Sequence, residues 1–483
     1  MKHFMERKTY ALVGLLALFA GTARAVESNE LDDTLVTLMA KYNVPGLSVA
    51  VIKDGAIVKA QGYGVRDFVT KAPVTADTLF QAGSDSKALA AMGGLYLVDQ
   101  GKLTLDGNVN DGLRTWKLPE NQFTAGHSVT LRQLLSHTAG TTVHGFRGYP
   151  TNAPIPTLEQ VLDGLPPANS PAVRVEAQPG SVWNYSGGGY VVAQQLIMDA
   201  SGQSFSDFMR DHVLQPLGMN ASTFVQPLPD ALKPLAATGH WRGNRALPTG
   251  WNAYPEMGPA GLWTTPSDLA RFAIALQRSL AGQTHPVLSP ASVQLMVTPV
   301  KNNYAMGLGV QGTGQGGTFS HGGRNEGFDT QLIAYTHAGV GAVMMINTNN
   351  DTKFMTRVQD AIARAYDWPD YHPYVTPKPI PDLEPAITEQ IRQIYLTAQA
   401  GKLDQTLFTP ELARNLAKVV PGQVTKDLQA AGALQSISLV ERKDYPGGHR
   451  VYQYLIVCSE VTAMARCSYD ANGKIERFSL RPE

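Results

Sequence analysis

The strongest constraint in this sequence is a serine and a lysine one helical turn apart, at the start of a predicted helix. Ser84 and Lys87 lie in residues 80–87, and apolar periodicity continues the helix to a stop at Gly101. Side chains at positions i and i+3 of a helix share a face. A serine hydroxyl becomes reactive when a neighbouring base takes its proton, and a lysine amine is such a base when its pKa is lowered. The pair therefore predicts a nucleophile and its base in one turn of helix.

A serine three residues before a lysine also arises by chance in a chain of this length. Ser84 and Lys87 form the only such pair in the sequence. The alternative interpretation is an ordinary helix start with no chemistry, so the residues elsewhere in the chain have to decide between the two.

A second candidate is Tyr185, which precedes three consecutive glycines at the start of a helix running to about Ser201. Glycines at a helix start are costly in backbone entropy, so this stretch needs a close backbone approach or a sharp turn. The positive end of a helix favours negative charge that develops nearby. Tyr185 is thus a candidate for passing a proton, and the alternative is a core aromatic ring at a loop corner.

A third candidate is His321, followed by Gly322 and Gly323 and then by Arg324, at the start of a predicted β-hairpin over residues 328–347. The two glycines allow a ligand to lie against the strand backbone. Two other histidines are interpreted as structural, because His137 follows a short capped helix and His337 lies in a hairpin turn.

The glycine pattern at residues 307–312 matches a dinucleotide-binding sequence, but more glycines follow it instead of a helix. We therefore exclude that interpretation. The sequence also lacks the G-x-S-x-G and H-E-x-x-H patterns of other hydrolases.

The N-terminus is typical of an export signal. Lys2, Arg7 and Lys8 precede a short apolar run, and residues 23–25 (Ala-Arg-Ala) form a small-x-small cleavage site. The alternative is a membrane anchor, but the run is too short to span a bilayer. We predict cleavage after Ala25, a periplasmic or secreted protein, and no transmembrane span in the mature chain.

Length and composition divide the remaining chain. We predict a main domain over residues 26–367, a semi-rigid linker over residues 368–385, which contain six prolines, and a small α+β domain over residues 386–483. The 483 residues carry 40 basic and 40 acidic side chains, which gives no basis for binding nucleic acid. The last domain carries no cluster of chemical residues, so we interpret it as a binding or spacer module of unknown partner.

Two cysteines lie near the C-terminus, and an oxidising compartment permits a disulfide between Cys458 and Cys467. We favour that disulfide, although the strand register is not determined by the sequence. The alternative is two buried thiols.

Taken in order, Ser84-x-x-Lys87, Tyr185-Ser186-Gly187 and His321-Gly322-Gly323 resemble the three motifs of the penicillin-recognising serine hydrolases. That group includes class C β-lactamases, D-Ala-D-Ala carboxypeptidases, D-aminopeptidases and β-lactamase-like esterases. The resemblance covers about residues 29–365. It implies an α+β fold, of the β-lactamase/transpeptidase-like type, in which an antiparallel sheet is flanked by helices and an all-helical subdomain is inserted.

The resemblance also implies roles for the candidates. Ser84 would form an acyl-enzyme with a small-molecule or peptide substrate, and Lys87 would hold or take its proton. Tyr185 would act as a base or pass the proton to the leaving group, with its pKa lowered by Lys87. His321, Gly322 and Gly323 would edge the substrate site, and the N–H groups of Ser84 and Arg324 would form the oxyanion hole. No metal or organic cofactor is implied.

Two departures from the motifs bear on the substrate. Gly187 stands where lactamases carry an asparagine that contacts the substrate amide, and His321 stands where they carry a lysine. Both changes favour an esterase or a D-amino-acid peptidase over a true β-lactamase. They also keep open a second hypothesis, a non-catalytic binding or sensor protein with the same fold.

Overall fold

The computed structural model describes residues 30–241, 244–349, 352–373 and 377–482. The predicted signal peptide and its cleavage site lie outside the described residues. No described helix is both long enough and apolar enough to cross a bilayer. The chain separates into two compact units, one up to His372 and one from Pro373 onward, so the division falls within the proline-rich segment.

A six-stranded sheet organises the larger unit, and every neighbouring pair in it is antiparallel. From one edge to the other its strands are Ala56–Gly64, Gly46–Lys53, Gly341–Ile346, Phe328–Tyr335, Thr318–Asn325 and Gly309–Gln311. The first strand of the unit thus pairs with the last, with Leu47 opposite Ile346. The predicted hairpin at residues 46–62 is confirmed by the first two strands.

Helices cover both faces of this sheet. Its central strands accordingly carry apolar residues at successive positions rather than at alternate ones. Leu47, Val49 and Val51 face a core that includes helix 30–42 and helix Thr352–Ala365, which we call the closing helix. Ala50 and Ile52 face the larger core, which includes helix Pro266–Leu280.

Helices and short strands make up the segment between strand Ala56–Gly64 and strand Gly309–Gln311 of the sheet. The helices are Ser86–Asp99, Val109–Gly112, Leu131–Leu135, Leu158–Asp163, Gly187–Ser201, Phe205–Met209, Met257–Ala260, Pro266–Leu280 and Pro290–Val297. Three two-residue strand pairs join this segment: Phe80–Gln81 with Trp263–Thr264, Tyr149–Pro150 with Asn252–Ala253, and His240–Trp241 with Arg245–Ala246. Together with the sheet, these helices confirm the predicted α+β fold class.

The smaller unit contains three helices followed by a four-stranded antiparallel meander. The helices are Pro385–Gln399, Pro410–Val419 and Thr425–Ala430, and the strands are Leu434–Asp444, Arg450–Cys458, Thr462–Tyr469 and Ile475–Pro482. Its own core contains aromatic rings such as Tyr452 and Tyr454.

The expected disulfide in this unit is wrong, because both cysteines are free and buried. Cys467 lies opposite Tyr452, and Cys458 is six positions further along that strand. At about 3.3 Å per residue the two Cα atoms are roughly 20 Å apart, far beyond the 7 Å that a disulfide spans. The register that the sequence left open is what excludes the bond.

Candidate active site

Ser84 lies in a single turn, Gly83–Asp85, which leads directly into helix Ser86–Asp99. We call this segment the nucleophile turn. Gly83 has φ of 52°, and a Cβ atom there would lie 2.6 Å from the amide nitrogen of Arg324. Both the positive φ and the close approach require glycine. The sequence thereby brings Ser84 against the strand that carries the third motif.

Lys87 lies behind Ser84 and is almost completely buried, with 2 % of its surface exposed. Its Nζ atom is 2.9 Å from Oγ of Ser84 and 2.9 Å from the carbonyl oxygen of Pro259. Burial lowers the pKa of Lys87 to about 7, against the opposing effect of the charge on Asp85. A substantial fraction of this amine is therefore neutral near pH 7 and able to accept the Ser84 proton.

Tyr185 completes the predicted group, in the loop before helix Gly187–Ser201. Both Ser84 and Tyr185 line the cleft, and Nζ of Lys87 lies 4.9 Å from the ring centroid of Tyr185. Burial raises the pKa of Tyr185 above its usual value, the charge on Asp85 raises it further, and only the contact with Ser84 lowers it. The sequence-based expectation of a lowered pKa is corrected here, since the dominant effect is desolvation. Desolvation therefore favours the neutral phenol, which carries a proton that it can donate.

Hydrogen bonds of Ser186 help to fix the loop that carries Tyr185. Oγ of Ser186 accepts from the amide of Gly189 at 3.0 Å and so caps the helix. The amide of Ser186 donates to Nδ1 of His137 at 3.1 Å, and the His137 ring lies 4.2 Å from that of Tyr185. Burial, together with the positive charges of Lys87 and His321, places the pKa of His137 well below its usual value. His137 therefore supports Tyr185 as a neutral ring, in line with the local role expected for it.

The third motif lies on strand Thr318–Asn325, which we call the third-motif strand. A Cβ atom on Gly323 would overlap the carbonyl oxygen of Ala82, so this strand and the nucleophile turn meet through their backbones. Gly322, Gly323 and Arg324 all line the open cleft in front of Ser84. They occupy the positions expected for a substrate-binding edge.

The side chain of His321 does not line that cleft. It is buried, with Nε2 3.0 Å from the hydroxyl of Tyr304 and Nδ1 3.4 Å from Oδ1 of Asp85. The expected contact between this imidazole and a substrate carboxylate is therefore not supported by its position. Alternation along a strand explains the difference, because successive residues point to opposite faces.

Arg324 extends into the cleft and is more than half exposed. Its Nε and Nη2 atoms donate to the two carboxylate oxygens of Asp329 at 2.6 and 2.7 Å, a bidentate pair. Asp329 is the residue opposite Arg324 in the hairpin. The pair gives the cleft one positive and one negative group side by side.

The cleft has a volume of about 380 Å³ and is wide open to solvent. Its lining consists of Ser84, Tyr185, Gly322, Gly323, Arg324, Asp329, Thr330, Gln331, Met355, Thr356 and Gln359. The last three come from the closing helix, which the sequence did not connect with the site. Met355, Thr356 and Gln359 are spaced as neighbours on one helical face, a signal that becomes useful only when the partner of that face is known.

Asp85 is a further residue that the sequence did not identify. It lies between the two residues of the first motif and is fully buried. Its Oδ2 atom accepts from the hydroxyl of Thr330 at 2.7 Å. A charged residue at the start of an otherwise apolar helix is a weak signal, because such residues usually cap helices in solvent.

The motif departure at Gly187 has a structural counterpart. A Cβ atom on this residue would lie 2.8 Å from Cε2 of Phe146. The ring of Phe146 therefore occupies the space next to Gly187 into which a larger side chain would extend.

A family model described as Beta-lactamase matches residues 31–367. Penicillin-binding protein 4 of Amycolatopsis lactamdurans is similar to this chain, with 30% identity over 335 residues that cover 66% of this chain and 85% of the relative.

Two solved structures share the fold. The octameric penicillin-binding protein homologue from Pyrococcus abyssi has a TM-score of 0.60 and 20% identity, covering 94% of this chain and 98% of its own. The D-alanine carboxypeptidase AmpC from Burkholderia cenocepacia has a TM-score of 0.55 and 21% identity, covering 70% and 99%. The first likeness therefore extends over both compact units, whereas the second covers a share close to that of the larger one.

Proposed function

This chain belongs to the beta-lactamase family, and within that family we propose that it is an exported serine hydrolase that cleaves an ester or amide bond through an acyl-enzyme on Ser84. The observation that carries the proposal is the 2.9 Å distance between Nζ of Lys87 and Oγ of Ser84, combined with a Lys87 pKa of about 7. An amine at this distance and with this pKa is a general base for the serine hydroxyl.

The proposed reaction begins when Lys87 accepts the Ser84 proton and Oγ attacks the substrate carbonyl carbon. The carbonyl oxygen becomes an oxyanion, which accepts hydrogen bonds from the backbone N–H groups of Ser84 and Arg324. Each such preorganised donor is worth ~3 kcal/mol of transition-state stabilisation. The close approach of Gly83 to the Arg324 amide nitrogen supports this assignment, because Ser84 follows Gly83 directly in the nucleophile turn.

Tyr185 then donates its phenol proton to the leaving oxygen or nitrogen as the carbon–leaving-group bond breaks. The Lys87 ammonium, whose Nζ lies beside the Tyr185 ring, then protonates the Tyr185 phenolate, which restores the neutral amine and the neutral phenol. Water enters the open cleft, loses a proton to the neutral Lys87, and attacks the acyl carbon. The bond between the acyl carbon and Oγ then breaks and the acid leaves, while the Lys87 ammonium returns its proton to Oγ and so restores Ser84. The raised pKa of Tyr185 supports the donor role, since a phenol that resists ionisation holds its proton until a basic leaving group forms.

We propose an ester or a D-amino-acid peptide, rather than a β-lactam, as the substrate. Two observations support this choice. Phe146 occupies the space beside Gly187, where lactamases place an amide-binding side chain, and His321 lies beneath the cleft instead of in it. The D-alanine carboxypeptidase of Burkholderia cenocepacia shares the fold, which is compatible with a peptide substrate.

The test is mass spectrometry of the intact protein after exposure to p-nitrophenyl butyrate, D-alanine p-nitroanilide and a fluorescent penicillin. We expect Ser84-dependent turnover of the ester or the anilide, and a fall of roughly 10⁴-fold or more in Ser84→Ala. Ser181→Ala, which changes an exposed serine, is the matched control. Equal adduct formation and equal turnover in the wild type and in Ser84→Ala would refute the proposed hydrolase function. A stable adduct without turnover would favour a binding or sensor protein.

A further inference from the structure

Beneath the reactive serine lies a carboxylate that the reaction above does not use. Asp85 has none of its surface exposed, and it immediately follows Ser84 in the nucleophile turn. Its Oδ2 atom accepts from Thr330, while its Oδ1 atom lacks a hydrogen bond among the described residues and faces Nδ1 of His321 at 3.4 Å. A buried carboxylate is costly unless a positive group compensates it.

His321 is placed to be that positive group without losing a partner. Its Nδ1 atom faces two acceptors, Oδ1 of Asp85 and the carbonyl oxygen of Gly322 at 2.9 Å, so Nδ1 carries a proton. Its Nε2 atom faces the hydroxyl of Tyr304, which accepts from an imidazolium and donates to a neutral imidazole. The ring therefore has a hydrogen-bond partner in either charge state.

Lys87 is the group that this carboxylate affects. The groups around Lys87 come from several elements. Ser84 and Asp85 lie on the nucleophile turn, Tyr185 and Tyr190 lie around the start of helix Gly187–Ser201, and the carbonyl of Pro259 lies on helix Met257–Ala260. His137 also acts on Lys87, and His321 and Tyr304 lie beyond Asp85. Burial raises the pKa of Asp85, and its contacts with His321 and Thr330 oppose that rise. In its ionised form Asp85 favours the ammonium form of Lys87.

We propose that Asp85 and His321 form a buried charge pair that sets the protonation state of Lys87, with Asp85 acting on Lys87 and His321 acting through Asp85. Both are positioning residues, and their role in catalysis rests on the hydrolase function proposed above. A carboxylate without a counter-charge would hold Lys87 as an ammonium ion, which cannot take the Ser84 proton. An imidazolium beside that carboxylate offsets its field and leaves the amine free to act as a base.

The experiment measures the pKa of Lys87 directly, by NMR titration of ¹³C-lysine-labelled full-length protein, with the signal assigned by its loss in Lys87→Met. Wild type is compared with Asp85→Asn, His321→Gln and the double variant. Asp85→Asn keeps the shape and removes the charge. Asp106→Asn is the matched control, since it removes an exposed carboxylate that pairs with Arg132.

We expect Asp85→Asn to lower the titration midpoint of Lys87 by about one pH unit, a tenfold change in proton affinity. His321→Gln should raise it by about half a unit or more, because it leaves the carboxylate uncompensated. In the double variant the midpoint should match that of Asp85→Asn, because the proposed effect of His321 on Lys87 is exerted through the Asp85 carboxylate. Asp106→Asn should leave it unchanged.

Three results would overturn the proposed charge pair. The first is an unchanged Lys87 midpoint in Asp85→Asn, and the second is no rise of that midpoint in His321→Gln. The third is a His321→Gln effect of the same size in the wild type and in Asp85→Asn. If His321→Gln fails to fold, His321→Asn replaces it in the same comparison. Because the titration needs no substrate, it is separate from the fate of the proposed function. If the wild type shows no Ser84-dependent turnover, the proposed hydrolase function is refuted and the charge pair is not. If the acid limb of the kcat/KM profile shifts together with the Lys87 titration midpoint, the charge pair controls the proposed activity.

Discussion

The two compact units of this chain bury very different side chains. In the larger unit the buried set includes Asp85, Lys87, His137, Glu256 and His321. In the described part of the smaller unit, every buried side chain is aliphatic, aromatic or a cysteine.

The charges of the smaller unit stay near its surface. Glu384 is about a third exposed and pairs with Arg442 at 2.9 Å and Arg450 at 3.2 Å. A unit can therefore fold on an apolar core and keep its ion pairs hydrated. Because burying a charge costs several kcal/mol, the concentration of buried titratable groups around Ser84 calls for a functional reason. The difference between the units thus locates the chemistry in the larger one.

The largest expected effect comes from removing the buried amine. Lys87→Met should lower kcat/KM for p-nitrophenyl butyrate by about 10³-fold, the usual range for losing a general base. The matched change in the smaller unit is Lys474→Met, whose exposed amine contacts the carbonyl of Thr406, and it should leave the rate unchanged. Equal losses of kcat/KM in the two variants would show that the larger and smaller units do not differ in this respect.

Backbone contact at the site gives the next effect. Gly323→Ala should destabilise the larger unit by about 1–3 kcal/mol or more, because the new Cβ overlaps the carbonyl of Ala82 and the nucleophile turn has to move. Gly322→Ala is the control for stability, since its Cβ meets a movable side-chain atom of Gln331 at 3.2 Å. Thermal unfolding of both variants measures the difference. Similar melting temperatures would mean that the turn and the strand are not tightly joined.

The buried carboxyl group of Glu256 allows the free-energy cost of burying a charge to be measured. Burial raises its pKa to about 7 from an ordinary value of 4.5, and both carboxylate oxygens lack partners among the described residues. Between pH 4.5 and pH 7 the unfolded chain ionises this group while the folded protein keeps it protonated, so folding stability falls over that interval. The loss reaches about 3 kcal/mol above pH 7.

Glu256→Gln removes this pH dependence, so urea unfolding should show the variant gaining stability over the wild type between pH 4.5 and pH 8. The control in the smaller unit, Glu384→Gln, should instead lower stability at pH 8, because it breaks two ion pairs. A gain that is the same at both pH values would contradict a raised pKa for Glu256.

The smallest effect is expected from reduction of the smaller unit. Dithiothreitol should not change the melting temperature, because Cys458 and Cys467 are free. Burial raises the pKa of Cys467 to about 12, so a thiol reagent should react with it only after unfolding. A melting temperature that falls on reduction would indicate that the two cysteines form a disulfide, which the strand register does not allow.

Local spacing explains which parts of the site were predictable from sequence. Ser84 and Lys87 are one helical turn apart, so their contact follows from the helix alone. Tyr185 was found because a glycine-rich helix start is an unusual sequence. The α+β class followed from hairpins near both ends of the larger unit and helical periodicity between them.

Long-range packing explains the rest. The burial of Asp85, the inward direction of His321 and the contribution of the closing helix depend on which surfaces meet, and no short pattern encodes that. The pKa of Tyr185 was predicted in the wrong direction because desolvation depends on the whole surrounding fold. Cysteine spacing likewise carried no information on strand register.

The pairing of the first strand of the larger unit with its last has a consequence for synthesis. While the ribosome makes the chain, strand Gly46–Lys53 has only one sheet neighbour until residues 341–346 emerge. The third-motif strand is also made late, so the nascent protein holds Ser84 and Lys87 long before it holds their surroundings. The surroundings of Ser84 and Lys87 are therefore complete only when translation of the larger unit is nearly finished.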